Sequence, residues 1–470
     1  MRKILLTIMT VMTTLAAVAD DFTTAGDGTT WTMTRLAQTD GTGVTVDEKT
    51  FTMASNVVIA AGDAFKIEEG ITVRMGDRVI LRIEGEADFA ADERVLFTAI
   101  DETVQPYGIY MQNDTKRATF RNIDFEYAGL KNFSTAGADI ADCSFTRHNG
   151  ISGTSALSMG TNGASFTISG CTFTECAKSA IGGAANYLNP VTITGCTFTA
   201  NGTANANTPQ LNITTAENVT IKDCRIYGAP EHTKVGGIVV SNLVSLTGEL
   251  NTLIENCEIR NNRFGVATYC EQTATIRNNV IISNKYETNA MNGGSGINIY
   301  DPYMTQTITV TGNYIEDNLW GITVIGGRNV NIGKTEDPTA DDYNPGLNVF
   351  LNNSNGGATY DLYNNSANTV YAQGNYWKSV ASQDQESIET VVFHKNDNPA
   401  LGEVIFIPAL DKEPTAINHA SPTLSGATRT EVYTLDGMRL GSLNEARRGT
   451  ICIVKVTDGR HTTVRKVVVK

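Results

Sequence analysis

The chain has 470 residues, with 36 Lys and Arg against 50 Asp and Glu, a net charge of -14 and a pI near 4.9. This balance argues against nucleic acid and anionic membrane surfaces as partners, and it is awkward for a polyanionic glycan unless charge is locally reversed or a cation intervenes. Such length usually means several domains, but a repeat array grows by adding units, so length does not count domains here.

Residues 1–19 have the form of a secretory signal: basic Arg2 and Lys3, an apolar stretch from Ile4 to Val18, and small residues Ala17-Val18-Ala19 before Asp20. No other run approaches the ~18 apolar residues of a membrane span, so no transmembrane segment is expected in the mature chain. Residues 20–63, rich in Thr, Gly and Ala, read as an N-terminal cap. Alternating strands begin at residue 64, with Phe65-Lys-Ile67, Leu81-Arg-Ile83, Val95-Leu-Phe97 and Gly108-Ile109.

One phrase then recurs: a β-branched run, a Gly, Asp or Asn, then a Cys or Asn pivot, then x-Ile or x-Phe. It reads Ile140-Ala-Asp-Cys143-Ser-Phe145, Ile168-Ser-Gly-Cys171-Thr-Phe173, Ile193-Thr-Gly-Cys196-Thr-Phe198, Ile221-Lys-Asp-Cys224-Arg-Ile226 and Ile254-Glu-Asn-Cys257-Glu-Ile259. Ile276-Arg-Asn-Asn279-Val-Ile281 and Val310-Thr-Gly-Asn313-Tyr-Ile315 follow, with looser copies at Asn348-Val-Phe350 and Asn375-Tyr-Trp377. The pivots fall roughly 20–35 residues apart, a period that means stacked supersecondary units. Each phrase is strand, bend, strand, and the period is too short for a crossover helix, so the units fit a parallel β-solenoid rising about 4.8 Å per coil. A Gly followed by an apolar residue leads into the next coil at Gly150-Ile151, Gly237-Ile238, Gly265-Val266, Gly296-Ile297 and Gly321-Ile322. At the pivot, Asn tolerates a left-handed bend, and its amide can bond to the Asn one coil above. The pattern resembles the right-handed parallel β-helix of the pectin-lyase-like superfamily over roughly residues 60 to 378.

Five pivots are cysteines that share one repeat position and so point the same way in successive coils. In-register parallel side chains match disulfide geometry poorly, and the preferred reading is buried free thiols acting as small apolar fillers. An acidic insertion spans 330–346. Its Asp337, Asp341 and Asp342 suit a hard cation such as calcium, but no ligand spacing repeats, so a solvated loop is preferred and no cofactor is assigned.

Residues 379–428 lose the repeat and read as an exit segment and linker. Residues 429–470 return to strands around Asp436-Gly437 and Asp458-Gly459, the form of a small β-sandwich-like domain. Tyr433-x-Leu435-x-Gly437, the strand Gly449-x-Ile451-x-Ile453-Val-Lys455-Val and the terminal Lys470 resemble the C-terminal sorting domain of the type IX secretion system. That domain usually carries an aromatic where Cys452 stands. The resemblance implies the secretion machinery as a partner, and export to the medium or to the cell surface of a Gram-negative bacterium. The fold class is therefore all-β: a single-stranded right-handed parallel β-helix over 64–378, plus the C-terminal domain.

In the superfamily the first strand of each coil often lines a substrate groove. With Val266, Thr268, Ile297, Ile299, Ile322 and Val324 inward, alternation sends two columns outward. One is Ser152, Val239, Ala267, Asn298 and Thr323, and the other is Thr154, Ser241, Tyr269, Tyr300 and Ile325. Neither column holds a carboxylate, Lys or Arg, whereas a glycosidase needs paired carboxyls and a lyase a base with a uronate-neutralising cation. Arg263, Glu271, Lys285 and Asp301 at the margins are the only candidates for such chemistry, with His148, His232 and Lys234 further off, and ordinary turn roles account for them. Tyr269, Asn298 and Tyr300 are candidate binders: adjacent rings about 4.8 Å apart offer a face on which a sugar can lie. The expected function is glycan or extended-partner binding without evident catalysis. The alternatives are a polysaccharide lyase or glycoside hydrolase, and a structural surface rod.

Overall fold

The computed structural model describes residues 21–113, 116–151, 154–160, 164–183, 190–242, 248–287, 289–414, 429–434, 439–440, 451–458 and 461–468. Residues 1–19, expected to be a secretory signal, lie outside them. The chain divides into two units, one ending at Pro414 and one running from Thr415 to Lys470.

In the first unit each coil contributes three short strands, and like strands of successive coils pair in parallel to make three faces. In one coil these are Leu211–Thr214 on the first face, Val219–Lys222 on the second and Arg225–Tyr227 on the third. The first face is a 14-stranded sheet from Phe22–Thr23 to Val392–Phe393. The pairing is in register over long stretches: Phe120, Ile140, Ile168, Ile193, Ile221, Ile254, Ile276 and Val310 are successive partners on the second face. Period-2 alternation gives each strand one buried row, and the enclosed core is built from these rows. On the third face the rows are aromatic. Phe125, Phe145, Phe173 and Phe198 stack with ring centroids 4.7, 4.8 and 4.9 Å apart, and Phe350 lies on Trp377 at 4.7 Å.

The bend between second and third faces has two parts. The residue before the pivot is left-handed in coil after coil: Asp142, Gly170, Gly195, Asp223, Asn256, Asn278 and Gly312 have φ between 53° and 66°. That explains the Gly, Asp or Asn at this position, and it places the left-handed residue one step earlier than the sequence reading did. The pivot side chain is thereby turned inward. Asn279, Asn313, Asn348 and Asn375 form the expected ladder: each Oδ1 accepts from the Nδ2 of the pivot one coil before, at 2.9 Å in all three steps. Upstream, the thiols of Cys171, Cys196, Cys224 and Cys257 donate to strand carbonyls of the preceding coil at 3.6–3.7 Å. All seven cysteines whose side chains are described are free and buried.

A second ladder was not foreseen. It stands five residues after the first, at the bend from third to first face: Asn262, Asn284, Asn318 and Asn353 link Nδ2 to Oδ1 at 2.9–3.2 Å. It ends on Asp361, whose Oδ1 accepts from Asn353 Nδ2 at 2.9 Å.

Parallel stacking extends past both expected ends. Within 20–63, Phe22 already pairs with Val57 and Trp31 with Phe65. The distinct parts of this segment are a five-residue helix, Met33–Ala37, N-capped by Thr32, and an antiparallel pair, Val44–Asp47 with Thr50–Met53. Within 379–414, a second short helix, Gln385–Glu389, capped by Asp384, leads into Val392–Phe393, which with Val404–Ile405 adds strands to the first and second faces. Neither helix was expected, since five residues are too few to show a periodicity.

The second unit is a four-stranded antiparallel sheet in the order Arg439–Leu440, Arg429–Thr434, Ile451–Asp458, His461–Val468. The two expected hairpins are present as strand pairs. One sheet, rather than a two-sheet sandwich, is formed among the described residues. Leu435, Gly437, Gly449 and Lys470 lie outside them.

Candidate functional site

The outer side of the first face is where the sequence placed its binders, and the register supports the columns from Val239 onward, although Val239, Ala267, Thr323 and Ser241 in them are buried. Val239, Ala267, Asn298 and Thr323 are successive partners, as are Ser241, Tyr269, Tyr300 and Ile325. The inward partners Val266, Thr268, Ile297 and Ile299 are fully buried, so the tyrosines point outward as read. The 152–154 start of the columns does not hold: that coil's first-face strand is Leu157–Met159, with Ser158 opposite Lys131. After Ile151 the chain runs several residues further before joining the sheet, with Thr154 N–H bonded back to Ile151 O at 3.1 Å, and Ser152 lies outside the described residues.

Tyr269 and Tyr300 meet at 5.5 Å between centroids and 56° between planes, tilted rather than stacked. Burial pushes the Tyr269 phenol up, and the side chain of Asn298, one coil on and one row across, acts on it in the opposite sense. Tyr300 is exposed at 37 %. The structure therefore brings all three candidate binders together.

The charged candidates are engaged otherwise. Arg263 pairs with Glu287 at 3.1 Å, both side chains nearly buried, and also reaches Asn207 and the carbonyl of Asn292. Lys285 pairs with Asp317 at 2.6 Å. Asp301 is fully buried, and its carboxylate accepts from the backbone N–H groups of Tyr303, Thr305 and Gln306, holding the turn that follows its strand. Glu271 accepts from Asn242 at 3.4 Å and bends the chain after Tyr269. In the acidic insertion Asp342 pairs with Lys334 at 2.6 Å and Asp337 accepts from Thr339, whose hydroxyl and N–H hold its carboxyl below the usual range. Among the described residues no three His, Cys, Asp or Glu converge as metal ligands.

Two features escaped the sequence reading. The first is a cleft of about 470 Å³ at the edge between third and first faces, which gathers His148 and His232 with Arg147, Glu175 and Glu231. His148 stands in the second ladder position, where burial lowers its pKa to about 4, so it is neutral, and its Nδ1 accepts from Gly150 N–H at 3.3 Å. The second is the rest of the first face. Trp320, Tyr360, Tyr363 and Phe393 form an aromatic cluster at its C-terminal end, with Tyr363 stacked on Phe393 at 4.4 Å and Trp320 4.8 Å from Tyr360. At its N-terminal end the Val239 column continues as Arg82, Tyr110, Lys131 and Ser158. Those coils were legible as Leu81-Arg-Ile83 and Gly108-Ile109. The outward column was simply begun too late.

Three comparisons with known proteins bear on this geometry. A family model described as a right-handed beta helix region matches residues 203–336, which include the Tyr269 and Tyr300 coils. The coils are right-handed. No curated protein matches the sequence. Among solved structures, the periplasmic alginate epimerase AlgG is similar at 10% identity and a TM-score of 0.38, covering 81% of this chain and 81% of that chain.

Proposed function

We propose that the chain is an exported β-helix protein that binds glycan along the outer side of its first face. The observation that carries this reading is the outward cluster of Tyr269, Asn298 and Tyr300, held by fully buried neighbours on the same strands. Aromatic rings with a polar tip suit a sugar, whose C–H face lies on the ring and whose hydroxyls meet the amide. The Trp320 cluster extends the same surface, which lets an extended ligand run along it. Export rests on residues 1–19, and passage to the cell surface on residues 429–470.

Retention on immobilised polysaccharides tests the reading. Replacing both tyrosines by Ala should weaken a bound glycan about tenfold or more, since sugar stacking contributes on the order of a kcal/mol per ring. A folded double variant retained like the wild type on every glycan would leave a structural rod. The rival reading, polysaccharide cleavage, is favoured only by the cleft that gathers His148, His232, Glu175 and Glu231. Incubation with uronate-containing and neutral polysaccharides, with and without calcium, decides it: new reducing ends or unsaturated products would replace binding by catalysis.

A further inference from the structure

The early coils of the first face carry two cations that no carboxylate meets among the described residues. Arg82, Tyr110 and Lys131 are register partners on three consecutive coils, so they stand in one outward row about 4.8 Å apart per step. Their strand neighbours Leu81, Ile83, Ile109, Met111 and Leu130 are buried, which fixes the row outward. Lys131 Nζ lies 5.3 Å from the Tyr110 ring centre and 5.0 Å from that of Phe133. Tyr107 and Phe133 meet Tyr110 edge-on at 5.8 and 6.0 Å.

On other coils Arg94, Arg117, Arg121, Arg147, Lys222, Arg263 and Lys285 each hold an Asp or Glu. In a chain with 50 acidic side chains against 36 basic ones, two cations in one row with no carboxylate partner among the described residues, set beside aromatic rings, make a local reversal of charge. Arg82 Nε is buried and makes no hydrogen bond among the described residues. Partial burial also pushes the Lys131 pKa down, the sign of a charge held away from water without compensation.

We propose that the Arg82–Tyr110–Lys131 row binds an anionic saccharide, its carboxylate or sulfate taken by the two cations and its ring by the aromatic surface beside them. Arg82 offers a planar fork of donors, Lys131 a point charge, and the rings an apolar bed. A local reversal of charge is what an acidic protein needs in order to hold an acidic polymer. This deepens the reading of the first face as the glycan surface by naming the ligand class. Lys131, the near end of the row, stands five coils, about 24 Å, from Tyr269, so the two can be tested separately.

The experiment compares retention of the full chain on polygalacturonate, dextran sulfate, neutral dextran, neutral galactan and poly-glutamate, at low and raised salt. Wild type should prefer a sugar polyanion to the neutral polymers, with retention falling as salt rises. Retention on polygalacturonate rather than dextran sulfate, or the reverse, identifies the anion, and retention on neither overturns the proposal. Lys131→Met with Arg82→Gln should lose that preference about tenfold or more while leaving any neutral-glycan retention intact. Lys131→Arg should keep it, which guards against a folding artefact in the charge-removing variant. Unchanged acidic retention in a folded Lys131→Met, Arg82→Gln protein would overturn the proposal, as would equal retention on poly-glutamate. Loss of neutral retention in the Tyr269→Ala, Tyr300→Ala protein, with acidic preference kept, reports on the wider reading alone.

Discussion

Two buried carboxylates, one near each end of the solenoid, respond to pH in opposite senses. Asp361 is fully buried, and burial lifts its pKa from 3.8 to about 6 despite hydrogen bonds from Ser379 and Asn353. The folded state then binds more protons than the unfolded one between those values, so stability falls as pH rises from about 4 to 6, by about 3 kcal/mol for a shift of that size. Asp361→Asn keeps an acceptor for Asn353 and should remove this dependence, and its melting temperature at pH 7.5 should equal or exceed that of the wild type. Asp63 is the converse. Burial would raise it, but donors from Thr24, Gly26, Thr29 and the Trp31 indole outweigh burial and lower it to about 2. Its contribution is complete above the unfolded value near 4 and is lost as pH falls through 2. Asp63→Asn turns an amide N–H toward donors and should cost about 2 kcal/mol at pH 7, read by denaturant unfolding. The buried thiols should stay unreactive until the chain unfolds: Cys176, in the second ladder position, is pushed up to about 12 by burial. A native-state labelling experiment that modifies Cys171 or Cys196 quickly would contradict their burial.

At the scale of one coil, side chains stack on their own kind, and a substitution is felt by the coils above and below. Asn313 donates to Ile276 O, Thr311 O and Asn348 Oδ1, and accepts from both N–H and Nδ2 of Asn279. Asn313→Ala strands several buried groups at once and should cost about 3 kcal/mol or more, whereas Cys196→Ala, with no amide to lose, should cost about 1 kcal/mol. Phe173→Ala opens the aromatic stack between Phe145 and Phe198 and should cost about 3–5 kcal/mol. Equal losses for Asn313→Ala and Cys196→Ala in urea titrations would mean that the ladder adds nothing beyond filling space. The first ladder was legible because its pivots sit inside the repeated phrase. The second was equally written, as a Cys or Asn followed five residues later by Asn or Cys: Cys171 and Cys176, Cys196 and Asn201, Cys257 and Asn262, Asn279 and Asn284, Asn313 and Asn318, Asn348 and Asn353. It was missed because it lies beyond the repeated phrase, after a third-face strand of only three residues. Tyr269 and Tyr300 were legible from alternation alone, whereas the engagement of Arg263 by Glu287 was not, since that partner comes from a different coil.

For the molecule as a whole, the two ends of the solenoid are the parts that sequence periodicity marked least well, because terminal coils lose the phrase while keeping the stacking. Trp377 closes the last recognisable phrase, yet it is fully buried and packs edge-on against Phe406 at 6.4 Å. Leu362 and Val370 likewise stack on Val392 and Val404. Since each coil buries its apolar edge only against its neighbours, stability in such an array is nearly a sum of coil and interface contributions, and the terminal coil protects the rest. Truncation after Pro414 should therefore leave a solenoid that melts as the full chain does. Truncation after Lys378, where the repeated phrase stops, exposes Trp377, Leu362 and Val370 together and should lower the melting temperature by several degrees and promote association. Expression of the two truncated chains, with thermal melts and light scattering, separates the cases. In the cell, the chain ending at Pro414 should also remain in the periplasm if residues 429–470 direct export, and its normal arrival at the surface would reduce that unit to an accessory sheet. The two readouts are independent, because a folded solenoid in the wrong compartment and an unfolded one differ in their melts before they differ in their location.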